Sequence, residues 1–272
     1  GLGDVYKRQI VAGTAVAIVG GEPDGDGHPH VGLMITYDAN DTPVQQCSGT
    51  LLSSRIFLTA GHCFKPQAQT PDEPTAVSAT IWFESNAQSC IDDTGHPTGD
   101  CKPVSGTPYL HPDYDRDTFW LHDLAVVILG RPSKMPVYGT LPEEGVLDEM
   151  ANQRGQQEVW FTAVGYGVEQ VKPDIIANFV RMVAYPQLKQ INNAYTGDYS
   201  IVVSSSASTG GSCLGDSGGP NFIGDSNIIG GVTSFSKNDN CGGTSGVYRV
   251  DRADDLGWLY SEFSRELGIK KK

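Results

Sequence analysis

The sequence has little positive charge and no long hydrophobic run. Its 272 residues include 19 lysines and arginines against 32 aspartates and glutamates, which gives a formal net charge of −13 at pH 7. A nucleic-acid backbone would be repelled by such a surface, and the basic residues cluster only at 270–272. The apolar run at 10–17 is too short to span a membrane. We therefore expect neither nucleic acid nor a membrane as a partner.

Long stretches of helical periodicity are also scarce. The chain contains 33 glycines and 16 prolines, and short β-branched runs alternate with turn clusters. This pattern predicts an all-β protein, and the length allows one large or two medium domains. The exception is the C-terminus, where apolar residues recur at helical spacing and predict a helix packed on the core. These residues are Leu256, Leu259, Tyr260 and Phe263.

None of the six cysteines stands in a C-x-x-C pair, so a zinc site is the weaker explanation of their presence. An even set of cysteines instead indicates disulfides, whose connectivity several pairings could satisfy. Disulfides form in oxidising compartments, so we expect an exported protein, either extracellular or periplasmic.

A candidate nucleophile, Ser217, lies in the glycine-rich stretch 210–220. Glycines let backbone N–H groups approach a reacting oxygen, and here Gly215 and Ser217 would donate them. The stretch also fits the G-x-S-x-G turn of α/β-hydrolases, in which the catalytic histidine follows the serine. No histidine follows Ser217, so the base must lie upstream. A noncatalytic glycine-rich turn is the alternative, but it leaves the segment around His62 unexplained.

His62 follows the apolar strand predicted at 55–59, where a strand end can project a general base into a cleft. A lone histidine beside a cysteine is more often structural or metal-bound, but Ser217 favours catalysis here. Four aspartates compete for the third role: Asp113, Asp115, Asp117 and Asp123. Only Asp123 directly precedes an apolar strand, at 124–129, which would bury it beside His62 and fix the tautomer of the ring.

The segments 59–63, 122–127 and 215–220 resemble the three catalytic segments of the trypsin/chymotrypsin family of serine endopeptidases. The likeness covers nearly the whole chain from Ile18 onward, and we identify it as a bacterial-type secreted member. The resemblance implies two packed six-stranded antiparallel β-barrels and a C-terminal helix. The first barrel would span 18–140 and carry His62 and Asp123. The second would span 141–250 and carry Ser217, with the helix at 251–267.

The resemblance and the spacing together favour one disulfide pattern. Two pairs match disulfides expected from the family, and the third closes a short loop that departs from its commonest pattern. The three pairs, in chain order, are Cys47–Cys63, Cys90–Cys101 and Cys213–Cys241. Closing the first loop would stabilise the fold by roughly 3 kcal/mol in the chain-entropy model.

The first 17 residues predict a sequence scar followed by the remnant of a signal peptide. Residues 1–9 resemble a translated sequencing adapter, and residues 15–17 form the A-x-A pattern of signal-peptide cleavage. The resemblance makes Ile18 the mature N-terminus, whose ammonium would pair with buried Asp216. We expect cleavage after Ala17 to activate the protein without a separate protease. The alternative is that 10–21 is an ordinary buried strand.

The resemblance implies acyl transfer to Ser217, with His62 moving the proton, Asp123 orienting His62, and no cofactor or metal. Cleavage after Lys or Arg would call for an aspartate at the floor of the primary pocket, where this chain has Gly211. We therefore predict a neutral pocket that favours apolar or aromatic side chains, although Asp239 could restore a basic preference. The predicted substrate-binding residues are Gly211, Ser212, Leu214, Ser234, Phe235, Ser236 and Gly246.

The function predicted from these features is a secreted, monomeric serine endopeptidase acting on proteins or peptides. One alternative is a catalytically inactive binding module with the protease fold. The other is an esterase with weak peptidase activity, because the same acyl transfer serves both bond types.

Overall fold

The computed structural model describes residues 18, 20–66, 74–152, 159–168, 178–193, 196–206, 208–238 and 240–269. Strands dominate these ranges, as the composition predicts. They are β1 Glu22–Pro23, β2 Val31–Tyr37, β3 Pro43–Leu51, β4 Ile56–Thr59, β5 Ser78–Trp82, β6 Val104–Leu110, β7 Ala125–Leu129, β8 Phe161–Gly165, β9 Met182–Ala184, β10 Leu188–Asn193, β11 Gly197–Ser205, β12 Pro220–Ile223, β13 Ile229–Ser236 and β14 Gly243–Arg249.

The first half of the chain forms a closed antiparallel barrel with strand order β2-β3-β4-β7-β6-β5. Its interior is filled by apolar side chains such as Phe57, Ile81 and Val126, all fully buried. Small residues allow the strands to curl closely. At Gly49, a Cβ would lie 2.4 Å from the Phe57 ring, so only glycine fits against that ring. The six-stranded first barrel is therefore present.

The second half, together with β1 from the N-terminal segment, forms an eight-stranded antiparallel sheet with order β1-β9-β8-β12-β13-β14-β11-β10. The sheet curls back on itself, because Gln187 just before β10 bridges Trp160 just before β8. Six strands thus make the curled half-barrel, and β1 and β9 extend it at one edge. The all-β chymotrypsin-like architecture is confirmed, whereas the predicted six-stranded second barrel lacked these two extra edge strands.

The described ranges contain two α-helices, α1 Val146–Asn152 and α2 Ala253–Phe263. Helix α1 contacts β10 of the second sheet, and the Phe263 ring of α2 meets Tyr109 on β6 of the first barrel at 5.9 Å. The predicted C-terminal helix is confirmed, and Leu256, Leu259 and Phe263 face the core. Tyr260 was expected on the same face but is 41% exposed. The described part of the chain contains no helix that is both long and apolar enough to cross a membrane.

The pairing of the cysteines is the favoured one. Disulfides join Cys47 to Cys63, Cys90 to Cys101, and Cys213 to Cys241.

The two halves are held together partly by buried Arg181, which ends the segment leading into β9. Its Nε donates to Asp24 Oδ2 at 2.8 Å, and its Nη1 donates to the backbone oxygens of Val31 and Phe83 in the first half. A guanidinium supplies five N–H donors in a fixed plane, so one side chain can join several segments. Arg181 therefore links the N-terminal segment, the first barrel and the second sheet.

Candidate active site

His62 lies in a short 3₁₀ turn, Gly61–Cys63, that follows β4 directly. The turn is fixed on both sides. A Cβ on Gly61 would lie 2.8 Å from the Tyr114 ring, and Cys63 is bonded to Cys47 on β3. His62 itself is only 7% exposed. The end of β4 thus holds the imidazole in a defined place, as the strand-end position predicts.

Asp123 is completely buried and accepts three hydrogen bonds, which fix the carboxylate and His62 together. Its Oδ1 accepts from the backbone N of His62 at 2.9 Å, and its Oδ2 contacts His62 Nδ1 at 2.8 Å. Ser234 Oγ donates to the same Oδ2 at 2.5 Å. A carboxylate at Nδ1 keeps that nitrogen protonated and leaves Nε2 free to accept a proton.

Ser217 lies where the two halves meet. Its backbone oxygen accepts from Ser48 N at 2.8 Å. At Gly218, whose φ is +78°, a Cβ would lie 2.1 Å from Thr59 Oγ1 at the end of β4. Glycine is required there, because only it allows the serine turn to press against the segment that carries His62. Within the described ranges no hydrogen bond joins Ser217 to His62, and such bonds often tighten only when substrate binds.

The predicted oxyanion donors lie in the same turn. Gly215 has a φ of +92°, and the backbone N–H groups of Gly215 and Ser217 meet no acceptor among the described residues. The Gly215 oxygen accepts from Ser48 Oγ at 2.9 Å, and Ser48 Oγ in turn accepts from Tyr166 N. Ser48 therefore positions the turn, a role that sequence reasoning missed. The only local sign of this role in the sequence is that Ser48 directly follows Cys47.

Asp216 is buried beneath this turn. Its two oxygens accept from the backbone N of Gly167 and of Cys213, both at 2.8 Å. Burial raises the pKa of Asp216 to about 7. No cation pairs with it in the described part of the chain. Ile18 is also buried but packs against Met182 and Ala184, and no hydrogen bond or ion pair between Ile18 and Asp216 is present among the described residues.

Two glycines predicted to line the primary pocket, Gly211 and Gly246, are closely packed against neighbouring side chains. A Cβ on Gly211 would lie 2.2 Å from Ser205 Oγ, so no side chain fits at its floor. At the opposite wall, the Phe235 ring lies against Gly246, within 2.5 Å of where a Cβ would stand. A register shift at 233–235 accompanies this placement. Ser212 is buried in the same region, and Asp239 lies outside the described residues.

The remaining predicted substrate-binding residues lie at the surface or beside the histidine. Leu214 is 55% exposed, and Ser236 is exposed with its Oγ donating to the Asn238 oxygen. Sequence reasoning missed Phe119, whose ring meets His62 edge-on at 6.0 Å and Phe235 at 6.4 Å. Aromatic rings thus border the cleft between His62 and the pocket.

A group of possible metal ligands lies outside this site. Side-chain ligand atoms of His111, Asp113 and His122 lie within 4.8 Å of one another. The two imidazoles, however, are stacked with ring centroids 4.7 Å apart and an interplanar angle of 12°. Ring lone pairs lie in the ring planes, so two parallel rings do not converge on one ion. The arrangement supports ring stacking rather than metal binding.

Comparisons with known proteins agree with this architecture. A family model described as Trypsin matches residues 18–255. Phenoloxidase-activating factor 3 of Holotrichia diomphalia is 25% identical over 260 residues, covering 89% of this chain and 71% of that protein. CLIP domain-containing serine protease B14 of Anopheles gambiae is 25% identical over 289 residues, covering 92% and 73%.

Among solved structures, HL collagenase matches with a TM-score of 0.66 and 22% identity, over 93% of this chain and all of its own. At that identity the match shows the fold alone. The curated relatives named above come from insects, so they give no support to the predicted bacterial-type membership.

Proposed function

The chain belongs to the trypsin family of serine proteases, and on that basis we propose that it is an endopeptidase acting through an acyl-enzyme on Ser217. The observation that carries the proposal is the contact between His62 Nδ1 and the buried Asp123 Oδ2 at 2.8 Å. This contact orients the ring so that Nε2 is the available base. Protein or peptide substrates would enter the cleft bordered by Phe119 and Phe235.

In the proposed reaction, His62 Nε2 takes the Ser217 hydroxyl proton while Oγ attacks the substrate carbonyl carbon. The N–H groups of Gly215 and Ser217 stabilise the resulting oxyanion, each contributing roughly 3 to 4 kcal/mol. His62 then passes the proton to the leaving amine. Water, deprotonated by the same nitrogen, releases the acyl group and regenerates Ser217.

We further propose a neutral primary pocket that selects apolar or aromatic side chains. The packing around Gly211 supports a neutral pocket, because there is no room for a carboxylate side chain at the pocket floor. Cleavage of Lys or Arg peptides at least tenfold faster than Phe, Leu or Ala peptides would contradict it.

Export, activation and domain boundaries are part of the same proposal. Three disulfides favour an oxidising compartment. Residues 1–17 lie outside the described residues, and we propose that cleavage after Ala17 frees the Ile18 ammonium to reach Asp216. Ile18 would then leave its contacts with Met182 and Ala184. We assign 18–140 and 141–250 to the two halves, 251–267 to the C-terminal segment, and a monomeric state.

The test is intact-mass spectrometry of the exported protein before and after treatment with a sulfonyl fluoride. One adduct that maps to Ser217 is expected, and Ser217→Ala should take up none. A folded chain starting at Ile18 that remains unlabelled would favour the inactive binding module. Turnover of esters without turnover of matched amides would favour the esterase.

A further inference from the structure

The tip of the β2–β3 hairpin carries the triplet Asn40-Asp41-Thr42, which has the form Asn-X-Ser/Thr with X other than proline. No other such triplet occurs in the 272 residues. This pattern is the acceptor for N-glycosylation when it is displayed on the surface of an exported protein. The triad and pocket make no use of this hairpin tip.

The hairpin tip meets the requirement for exposure, because residues 39–42 are all exposed. The turn is closed by Asp38 rather than by a contact that buries Asn40. Asp38 Oδ1 accepts from the backbone N of Asn40 and of Thr42, both at 2.8 Å. Asp38 N donates to the Thr42 oxygen at 2.9 Å. The backbone of the turn is therefore independent of the Asn40 side chain.

The tip is also held in a defined position. Asp41 has a φ of +61°, and its backbone oxygen accepts from His96 Nε2 at 2.9 Å. His96 lies in the loop closed by the Cys90–Cys101 disulfide, and Tyr37 at the end of β2 donates to Gly95 in that loop. The hairpin therefore presents Asn40 to solvent from a fixed support.

We propose that Asn40 is an N-glycosylation site, an inference that rests on the export proposed above. The co-reactant is an oligosaccharide linked to a lipid diphosphate. Asn40 Nδ2 forms a bond to the anomeric carbon of the first sugar, and the bond from that carbon to the diphosphate oxygen breaks. The lipid diphosphate leaves with the electron pair, Nδ2 releases one proton, and no atom changes oxidation state.

The experiment is secretion of the full chain from cultured insect cells, followed by peptide mapping with and without a peptide N-glycosidase. In the exported protein, a glycan on Asn40 is expected, and enzymatic removal should convert Asn40 to aspartate. Thr42→Ser keeps the acceptor pattern and should keep the glycan. Asn40→Gln and Thr42→Val remove the pattern and should migrate as one lighter species that the glycosidase does not change.

Labelling of Ser217 by a sulfonyl fluoride separates this proposal from the proposed function. An exported protein that is labelled at Ser217 but unmodified at Asn40 would overturn the glycosylation site and leave the peptidase standing. A protein glycosylated at Asn40 but unlabelled would do the reverse. Unmodified chain retained inside the cells would overturn the export on which both depend. Equal disulfide content in all variants shows that loss of the glycan does not reflect misfolding.

Discussion

At the residue scale, Asp123 shows how hydrogen bonds compensate for a buried charge. An unpaired carboxylate in a protein interior costs several kcal/mol, and here three hydrogen bonds compensate for it. Two of the donors belong to His62, so the same contacts compensate for the buried charge and orient the base. The third donor, Ser234, is on β13 of the other half, which makes the site depend on how the two halves pack.

Replacing Ser234 by alanine should lower kcat/KM by about tenfold to a hundredfold. A hydrogen bond to a charged group contributes roughly 1.5 to 3 kcal/mol, and its loss leaves Asp123 free to tilt away from His62. The backbone of Ser234 stays in place, so KM should change less than kcat. Steady-state kinetics on a peptide amide would measure both, with Ser261→Ala on the exposed face of α2 as the control. An unchanged kcat would show that Ser234 does not position Asp123.

Buried Asp216 should make the stability of the fold depend on pH. Its pKa is raised from 3.8 to about 7 by burial. The folded protein therefore binds this proton more tightly than the unfolded chain does. The stabilising contribution of protonated Asp216 to the free energy of unfolding is complete below about pH 4 and is lost as the pH rises through 7. A chain extended upstream of Ile18 should thus become less stable across this window.

A chain that begins at Ile18 should not show that loss, because its ammonium would pair with Asp216 and lower the pKa of the carboxyl. Denaturant unfolding of both forms between pH 4 and 8 tests this. Asp255, whose pKa burial also raises to about 7, is present in both forms and cancels in the difference. Identical pH profiles would argue against the pairing of Ile18 with Asp216.

At the scale of elements, the edge strands β1 and β9 are joined to the rest of the molecule by Arg181 and Asp24. Both side chains are almost completely buried, at 1% and 2% exposed. Arg181→Met should destabilise the fold by roughly 3 to 5 kcal/mol, because buried Asp24 loses its guanidinium partner and keeps only its contacts with His28. The urea midpoint should fall, and proteolysis should begin in residues 20–28.

The control for this prediction is Arg265→Met, because Arg265 is exposed after α2 and should give almost no change. Combining Arg181→Met with Asp24→Asn should recover part of the loss, since the buried charge that has lost its guanidinium partner is then removed. Equal urea midpoints for the two arginine variants would show that the buried pair does not hold the edge strands.

Whether the sequence predicts a residue's role depends on how far along the chain that residue acts. Ser217, His62 and Asp123 lie in short segments whose glycine, cysteine and apolar neighbours are local, so pattern alone indicates them. Ser48 and Arg181 act on residues more than a hundred positions away, and no local pattern encodes those contacts.

The strands β1 and β9 escaped prediction for a similar reason. They are two and three residues long and pair with each other across about 160 residues, so periodicity has too few positions to detect them. The position of the Phe235 ring against Gly246 depends on a register shift in the second sheet, which again is set by pairing rather than by composition.

At the scale of the whole molecule, the net charge of −13 should steer cationic substrates toward the cleft. The exposed acids Asp113, Asp115 and Asp117 stand just ahead of Phe119, whose ring meets His62, so part of the negative field lies beside the site. For peptides that share one cleavable core, lysine-flanked versions should have a higher kcat/KM than glutamate-flanked ones at low salt.

The advantage should shrink toward zero as salt rises, because screening acts over about 10 Å at 0.1 M and about 3 Å at 1 M. Asp117→Asn should weaken the low-salt preference by about twofold, since one nearby charge is lost. Glu149→Gln on α1 is the matched control, because that helix packs on β10 of the second sheet. A lysine preference that persists at 1 M salt would locate the recognition in the pocket itself, and would contradict both steering and the neutral pocket.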